Sequence, residues 1–152
     1  MAKWGSAEFD ELCVQIVKEL AARLLTKVVD RTPVGDYPSG SGKTGGTLRR
    51  GWTGGKSQAV KAYLKTVAVE KVGADYVLTI ENPIEYGIYV EYGHRQTPGR
   101  FVPAIGKRLV KAWVPGQFML TKSEREIEAI MQPLIEKMMM GFFREVFDAG
   151  SR

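Results

Sequence analysis

Asn82–His94 reads NPIEYGIYVEYGH, and RQTPGRFVP follows at once (95–103). The stretch has the punctuation of a short helix. Asn82 can accept a bond from a free N-terminal N–H, and Pro83 suits the first helical position because it has no N–H to orphan. Glu85 stands where a capping box places its carboxylate, near the positive end of the dipole. Gly93 supplies the residue that ends the helix. The expected helix spans 83–92 and carries Tyr86, Tyr89 and Tyr92. Their helical angles spread beyond a narrow stripe, so some of these rings should face a surface or a neighbour.

Outward from this stretch, hydrophobic period divides the chain. Towards the N-terminus, Phe9, Leu12, Cys13, Ile16, Leu20, Leu24 and Val28 recur at spacings of three and four, predicting a helix over 7–30 capped by Ser6. Thr32-Pro33 closes it. Residues 33–57, PVGDYPSGSGKTGGTLRRGWTGGKS, are rich in glycine and read as a flexible basic loop. A short helix near 57–65 follows. VAVEKV (67–72) and YVLTIE (76–81) alternate around Gly73-Ala74-Asp75 as an antiparallel hairpin. Beyond His94, residues 101–105 and 108–113 flank Gly106-Lys107 as a second hairpin, an extension over 101–114. A final helix is expected over 122–147, with Thr121 and Glu124 as its capping box and a kink at Pro133.

Ile127, Ile130, Met131, Leu134, Met138 and Phe142 form the stripe of that last helix. The run Met138–Met140 with Phe142, Phe143 and Phe147 exceeds one stripe. Burial on two sides accounts for the excess, and so does a subunit interface with adaptable methionines. The order of elements predicts one α+β domain over 1–152: two long helices packed on a small antiparallel sheet, with a short Tyr-rich helix and a Gly-rich loop.

Bulk properties narrow the functional classes. At 152 residues the chain can bury about two-thirds of its unfolded surface. No segment reaches the roughly 20 continuous apolar residues of a membrane span, and the N-terminus lacks the apolar core of a secretory signal. Cys13 is the only cysteine, so no internal disulfide forms. The net charge of +5 concentrates in residues 32–72, where seven basic residues face Asp36 and Glu70. Lys43, Arg49, Arg50 and Lys56 are therefore candidates for contact with DNA or an acidic partner. A solvated loop and strand face explains the same excess.

Two chemical motifs fail on inspection. SGSGKTGG (39–46) ends like a P-loop, but Tyr37 occupies the position that needs the first glycine, and no strand precedes it. His94, the only histidine, has no cysteine or second histidine beside it for zinc. It is better read as a hydrogen-bonding group near the negative end of a helix. No catalytic, cofactor-binding or metal-binding set emerges, and the chain is expected not to be an enzyme.

Four ordered fragments resemble one family. RTPVG (31–35), TLRRGW (47–52), EYGIYVEYGH (85–94) and GRFVP with PGQFMLTKS (99–103, 115–123) are similar to segments of the tail-completion or head–tail joining proteins of tailed bacteriophages, the gene-product-ten-like tail components. GDYPSGSGKTGG and AIGKRLVKAWV are insertions relative to that pattern. The resemblance implies a virion structural subunit of the tail neck, assembled in the host cytoplasm, with no cofactor and no membrane contact. It implies a homo-oligomeric ring, a hexamer, between the tail terminator with its tube and sheath and the head connector or stopper. DNA in the channel is a further partner, and a DNA-binding module using 32–72 is the alternative. A contractile tail is the expected setting, and a collar on a headless phage-tail particle fits equally. Tyr86, Tyr89, Tyr92, Arg100, Phe101, Phe118, Met138, Phe142 and Phe143 are the interface candidates, because aromatic, Met and Arg side chains are enriched at interface cores.

Overall fold

The structure is a computed structural model and describes residues 6–151; the side chain of Ser6, and with it the expected cap, lies outside the described residues. Two long helices dominate: α1 (Ser6–Arg31) and α5 (Met119–Ala149). They run antiparallel, as the contacts at their ends require. Arg31 Nη1 donates to Ser123 Oγ at 2.9 Å, Lys27 pairs with Glu126 at 2.6 Å, and Arg31 also pairs with Glu126. Far along the pair, Val14 and Lys18 share a cleft with Met138.

Between them in sequence lie α2 (Thr47–Gly51), α3 (Val60–Thr66), the hairpin β1–β2 (Glu70–Val72, Asp75–Val77) and α4 (Gly87–Tyr92). Then come β3 (Gly93–Arg95), β4 (Phe101–Val102), a 3-10 turn (Pro103–Ile105), β5 (Lys107–Arg108) and β6 (Trp113–Pro115). The fold is α+β. Its antiparallel part is divided into three two-stranded ladders, β1–β2, β3–β6 and β4–β5.

The core gathers Ala21, Leu25 and Val28 of α1 with Leu48, Trp52, Leu64 and Met119. The α1 stripe therefore points inward at Leu12, Ile16 and Val28, while Phe9 is exposed. One polar chain crosses this core. Trp52 Nε1 donates to Thr32 Oγ1 at 2.9 Å, and that hydroxyl donates to the Val28 carbonyl at 2.7 Å. The indole is thus buried with its N–H satisfied.

Several expected boundaries move. Part of the supposedly flexible 33–57 loop is helical and buried: α2 sits there, and Leu48, Gly51, Trp52 and Thr53 are all interior. Glycine content misled because the apolar pair Leu48 and Trp52 finds a core across the chain. The hairpin keeps its place but is shorter, with residues 67–69 and 78–81 outside its strands, and it turns at Gly73-Ala74 with Val72 opposite Asp75. It is tied to α1 by Lys71 and Tyr76, both on the Asp10 carboxylate.

The Tyr-rich helix starts at Gly87, not Pro83. Asn82 does not cap it. Its Oδ1 accepts from Ile84 N–H at 3.2 Å, and its Nδ2 donates to the Leu48 carbonyl at 2.8 Å, fastening the segment to α2. Glu85 is exposed and caps nothing among the described residues. The second hairpin turns earlier than expected: residues 103–105 form the 3-10 turn, Lys107 pairs with Val102 as part of β5, and residues 109–112 pair back towards 96–100. Finally, α5 begins three residues early, so Thr121 and Glu124 lie inside it, and Pro133 sits within the helix without ending it.

Candidate functional site

The joint between α4 and α5 explains the Val90-Glu91-Tyr92-Gly93 sequence residue by residue. Val90 packs on the core, and its carbonyl accepts from Gln117 N–H at 2.8 Å. The Glu91 carbonyl accepts from Phe118 N–H at 3.0 Å. These two bonds hold Phe118 at φ 52°, a costly conformation for a residue with a Cβ. The buried Glu91 carboxylate then caps α5. Its Oε2 accepts from Leu120 N–H at 3.0 Å; its Oε1 accepts from the Thr121 N–H and hydroxyl at 2.9 and 2.7 Å. Burial pushes this carboxyl up, but the hydrogen bonds from Thr121, Leu120 and Met119 outweigh it and hold the group below its usual range.

Gly93 completes the joint. Its φ is 86°, and an added Cβ would lie 2.5 Å from the Val114 carbonyl oxygen. Gly116 is equally constrained, since a Cβ there would meet the Glu91 carbonyl oxygen at 2.3 Å. The two glycines let β6 press against the end of α4. No local sequence signal marks Glu91 as a cap, because the helix it caps begins far downstream.

With its inner face used in this way, α4 turns its rings outward. Tyr86, Tyr89 and Tyr92 are 45%, 58% and 59% exposed, and Ile88 is exposed beside them. Tyr92 meets Phe118 edge-on at 6.3 Å between centroids, and Tyr89 meets His94 at 6.1 Å. His94 lies in β3, just past the end of α4 as expected, and among the described residues its enclosed Nδ1 has no hydrogen-bond partner. On one side of α4 opens a groove of about 460 Å³, lined among others by Trp52, Ile80, Ile88, Tyr92, Met119 and Leu120. Glu81 and Glu85 line it too.

The remaining candidates scatter. Arg100 and Phe101 stand on the excursion from Gly93 to Pro115, where no residue is buried. Arg108 lies over the Phe101 ring, its guanidinium carbon 6.0 Å from the centroid. Met138, Phe142 and Phe143 are half-buried on the distal part of α5, with the two Phe rings 5.9 Å apart. Of the basic set, Arg49 is turned inward, donating from Nε and Nη2 to the Thr32 carbonyl at 3.0 and 2.7 Å. Arg50 Nη1 donates to the Gly45 carbonyl at 3.1 Å. Lys43 and Lys56 stay exposed. Among the described residues no group of His, Cys, Asp and Glu is arranged to hold a metal ion, and no helix is long and apolar enough to cross a membrane.

The fold is a helical α+β domain that leaves Tyr86, Tyr89, Tyr92 and Phe101, with Lys43 and Lys56, exposed outside its core. The family model described as Bacteriophage HK97-gp10, putative tail-component, matches residues 2–93, more than half of the chain, and the chain belongs to that family. It is thus a phage tail-family protein, whose place of work is the virion and whose partners are other virion proteins. No curated protein and no solved structure matches it. The matched region includes α1, the TLRRGW segment and α4, and it ends at Gly93; the excursion and α5 lie beyond it.

Proposed function

We propose that the protein is a structural subunit of the tail neck. It forms a closed ring, with six copies as the implied number, that caps the head-proximal end of the tail and joins it to the head connector. Its work is geometric and involves no bond-making chemistry. One observation carries this reading: the chain holds exposed apolar surface in two separate places. One surrounds α4, with Ile88, Tyr89, Tyr92, Phe118 and Trp113; the other follows distal α5, with Met131, Met140 and Phe147. A subunit that meets one neighbour on each side and a partner above or below needs several different patches. Electron microscopy of particles lacking the protein tests this. Tails without it should be unterminated or unable to bind heads; normally capped, head-competent tails would sink the proposal.

A DNA-binding module is the second reading, favoured by the exposed Lys43, Lys56, Lys61 and Lys65. It has lost ground through Arg49 and Arg50, which are spent on backbone carbonyls. It requires the isolated chain to bind duplex DNA with an affinity that falls steeply as salt rises. Absence of binding at physiological salt excludes it.

A further inference from the structure

We infer that the excursion Gly93–Pro115 is an arm that docks in the α4 groove of a second copy of this chain, making the lateral contact of the ring. This rests on the ring reading above and names its interface.

The arm is not part of its own subunit's core. From Gly93 to Pro115 no residue is buried, and its large apolar side chains Phe101, Val110 and Trp113 are exposed, Val110 to 85%. Its backbone is nevertheless ordered by pairing with itself. The β3–β6 ladder continues through Gln96 N–H to the Ala112 carbonyl at 3.0 Å, Gly99 N–H to Leu109 at 2.7 Å and Leu109 N–H to Arg100 at 2.8 Å. The chain thus presents two paired strands whose Phe101, Val110 and Trp113 face water, while Val102, Ile105, Leu109 and Val114 are half-buried and the turn at Gly106 lies near Pro38. Such a shape gains by entering a neighbour.

Charge selects the receptor. The arm carries Arg95, Arg100, Lys107, Arg108 and Lys111 and not one acidic residue. The segment before it, Asp75–Tyr92, carries Asp75, Glu81, Glu85 and Glu91 and not one basic residue. Among the described residues none of the five arm cations forms a salt bridge, and neither does Glu81 or Glu85. The acidic side chains sit at the apolar groove floored by Trp52, Ile88 and Met119. An apolar, cationic arm and an apolar groove bearing carboxylates are complementary on both counts. Because arm and groove are different patches of one chain, their pairing is heterologous and propagates around a ring. Distal α5 is then left for a tail or connector protein.

The experiment is a charge swap read on the full chain, by native mass spectrometry in solution and by electron microscopy of purified tails. The groove variant is Glu81→Lys with Glu85→Lys; the arm variant is Arg100→Glu with Lys111→Glu. All four side chains are exposed. Each variant alone should weaken self-association by roughly tenfold or more, and mixing the two should restore it, because the swapped arm then meets a swapped groove. An independent pair, Glu85→Cys and Val110→Cys on separate copies, should form an intermolecular disulfide only in assembled protein. If the wild type assembles and both variants assemble as well as it does, the arm–groove contact is overturned while the ring survives. If rings persist but the variants lose only tail attachment, the groove receives another protein, and the second copy is wrong. A wild type that stays monomeric in solution and on tails overturns both the ring and this contact.

Discussion

The two halves of α5 share a helix but not a set of constraints. Its first turns bury Met119, Ser123 and Ile127, receive the Glu91 cap and are fastened to α1 through Arg31 and Lys27. Beyond Ile127 no residue of α5 is buried, and Met131, Met140 and Phe147 are exposed. The difference shows that helix length and helix support are set separately. Backbone propensity and the partner helix carry α5 on after the core has ended, and the excess apolar residues are then surface. Within the Met/Phe run, Met140 and Phe147 are exposed, whereas Met138, Met139, Phe142 and Phe143 are half-buried.

Truncation gives the largest contrast between the halves. Met119, 1% exposed, should cost about 2–5 kcal/mol on replacement by Ala. Met140→Ala should stay within about 0.5 kcal/mol, since it empties no packed space. Chemical denaturation of the two variants compares them directly, and similar losses would erase the distinction. Glu91→Gln should follow, at about 2 kcal/mol, by weakening the cap on α5. Acid sharpens this second test. The folded carboxyl titrates below its usual value of 4.5, so its stabilisation is complete above that value and disappears as pH falls through the folded one. The wild type should therefore lose its margin over Glu91→Gln below about pH 4.5. Amide exchange should show a graded version of the same contrast, with slow exchange near Ser123–Ile127 and faster exchange after Met140. The smallest stability change belongs to Tyr89→Ala, within about 0.5 kcal/mol, though it should weaken assembly measurably.

Much of this architecture was legible before the coordinates. The two long helices followed from their three-and-four spacing, the first hairpin from alternation about Gly73, and the helix end from Gly93. Surface aromatics were legible as well, because three tyrosines in one short helix cannot all face one core. The errors share a cause. Asn82-Pro83 and Thr121-x-x-Glu124 are sound local capping signals, yet Asn82 serves Leu48 and α5 is capped by Glu91. A tertiary donor or acceptor out-competed the local one in each case. Residues 73–120 sum to nearly neutral, and within that span an acidic segment through Tyr92 directly precedes a basic one from Gly93.

By itself the sequence determined the two long helices, the turn at Gly73, the helix end at Gly93, and that the tyrosines around α4 outnumber the inward positions. Those are properties of period and of individual residues, and they survive without knowledge of neighbours. Only the tertiary structure decided that Arg49 faces a carbonyl, that Glu91 caps a helix some thirty residues away, and that the 93–115 arm stays outside the core. Each of these depends on which groups the fold brings within hydrogen-bonding or packing distance. A one-dimensional pattern contains the groups but not the distances.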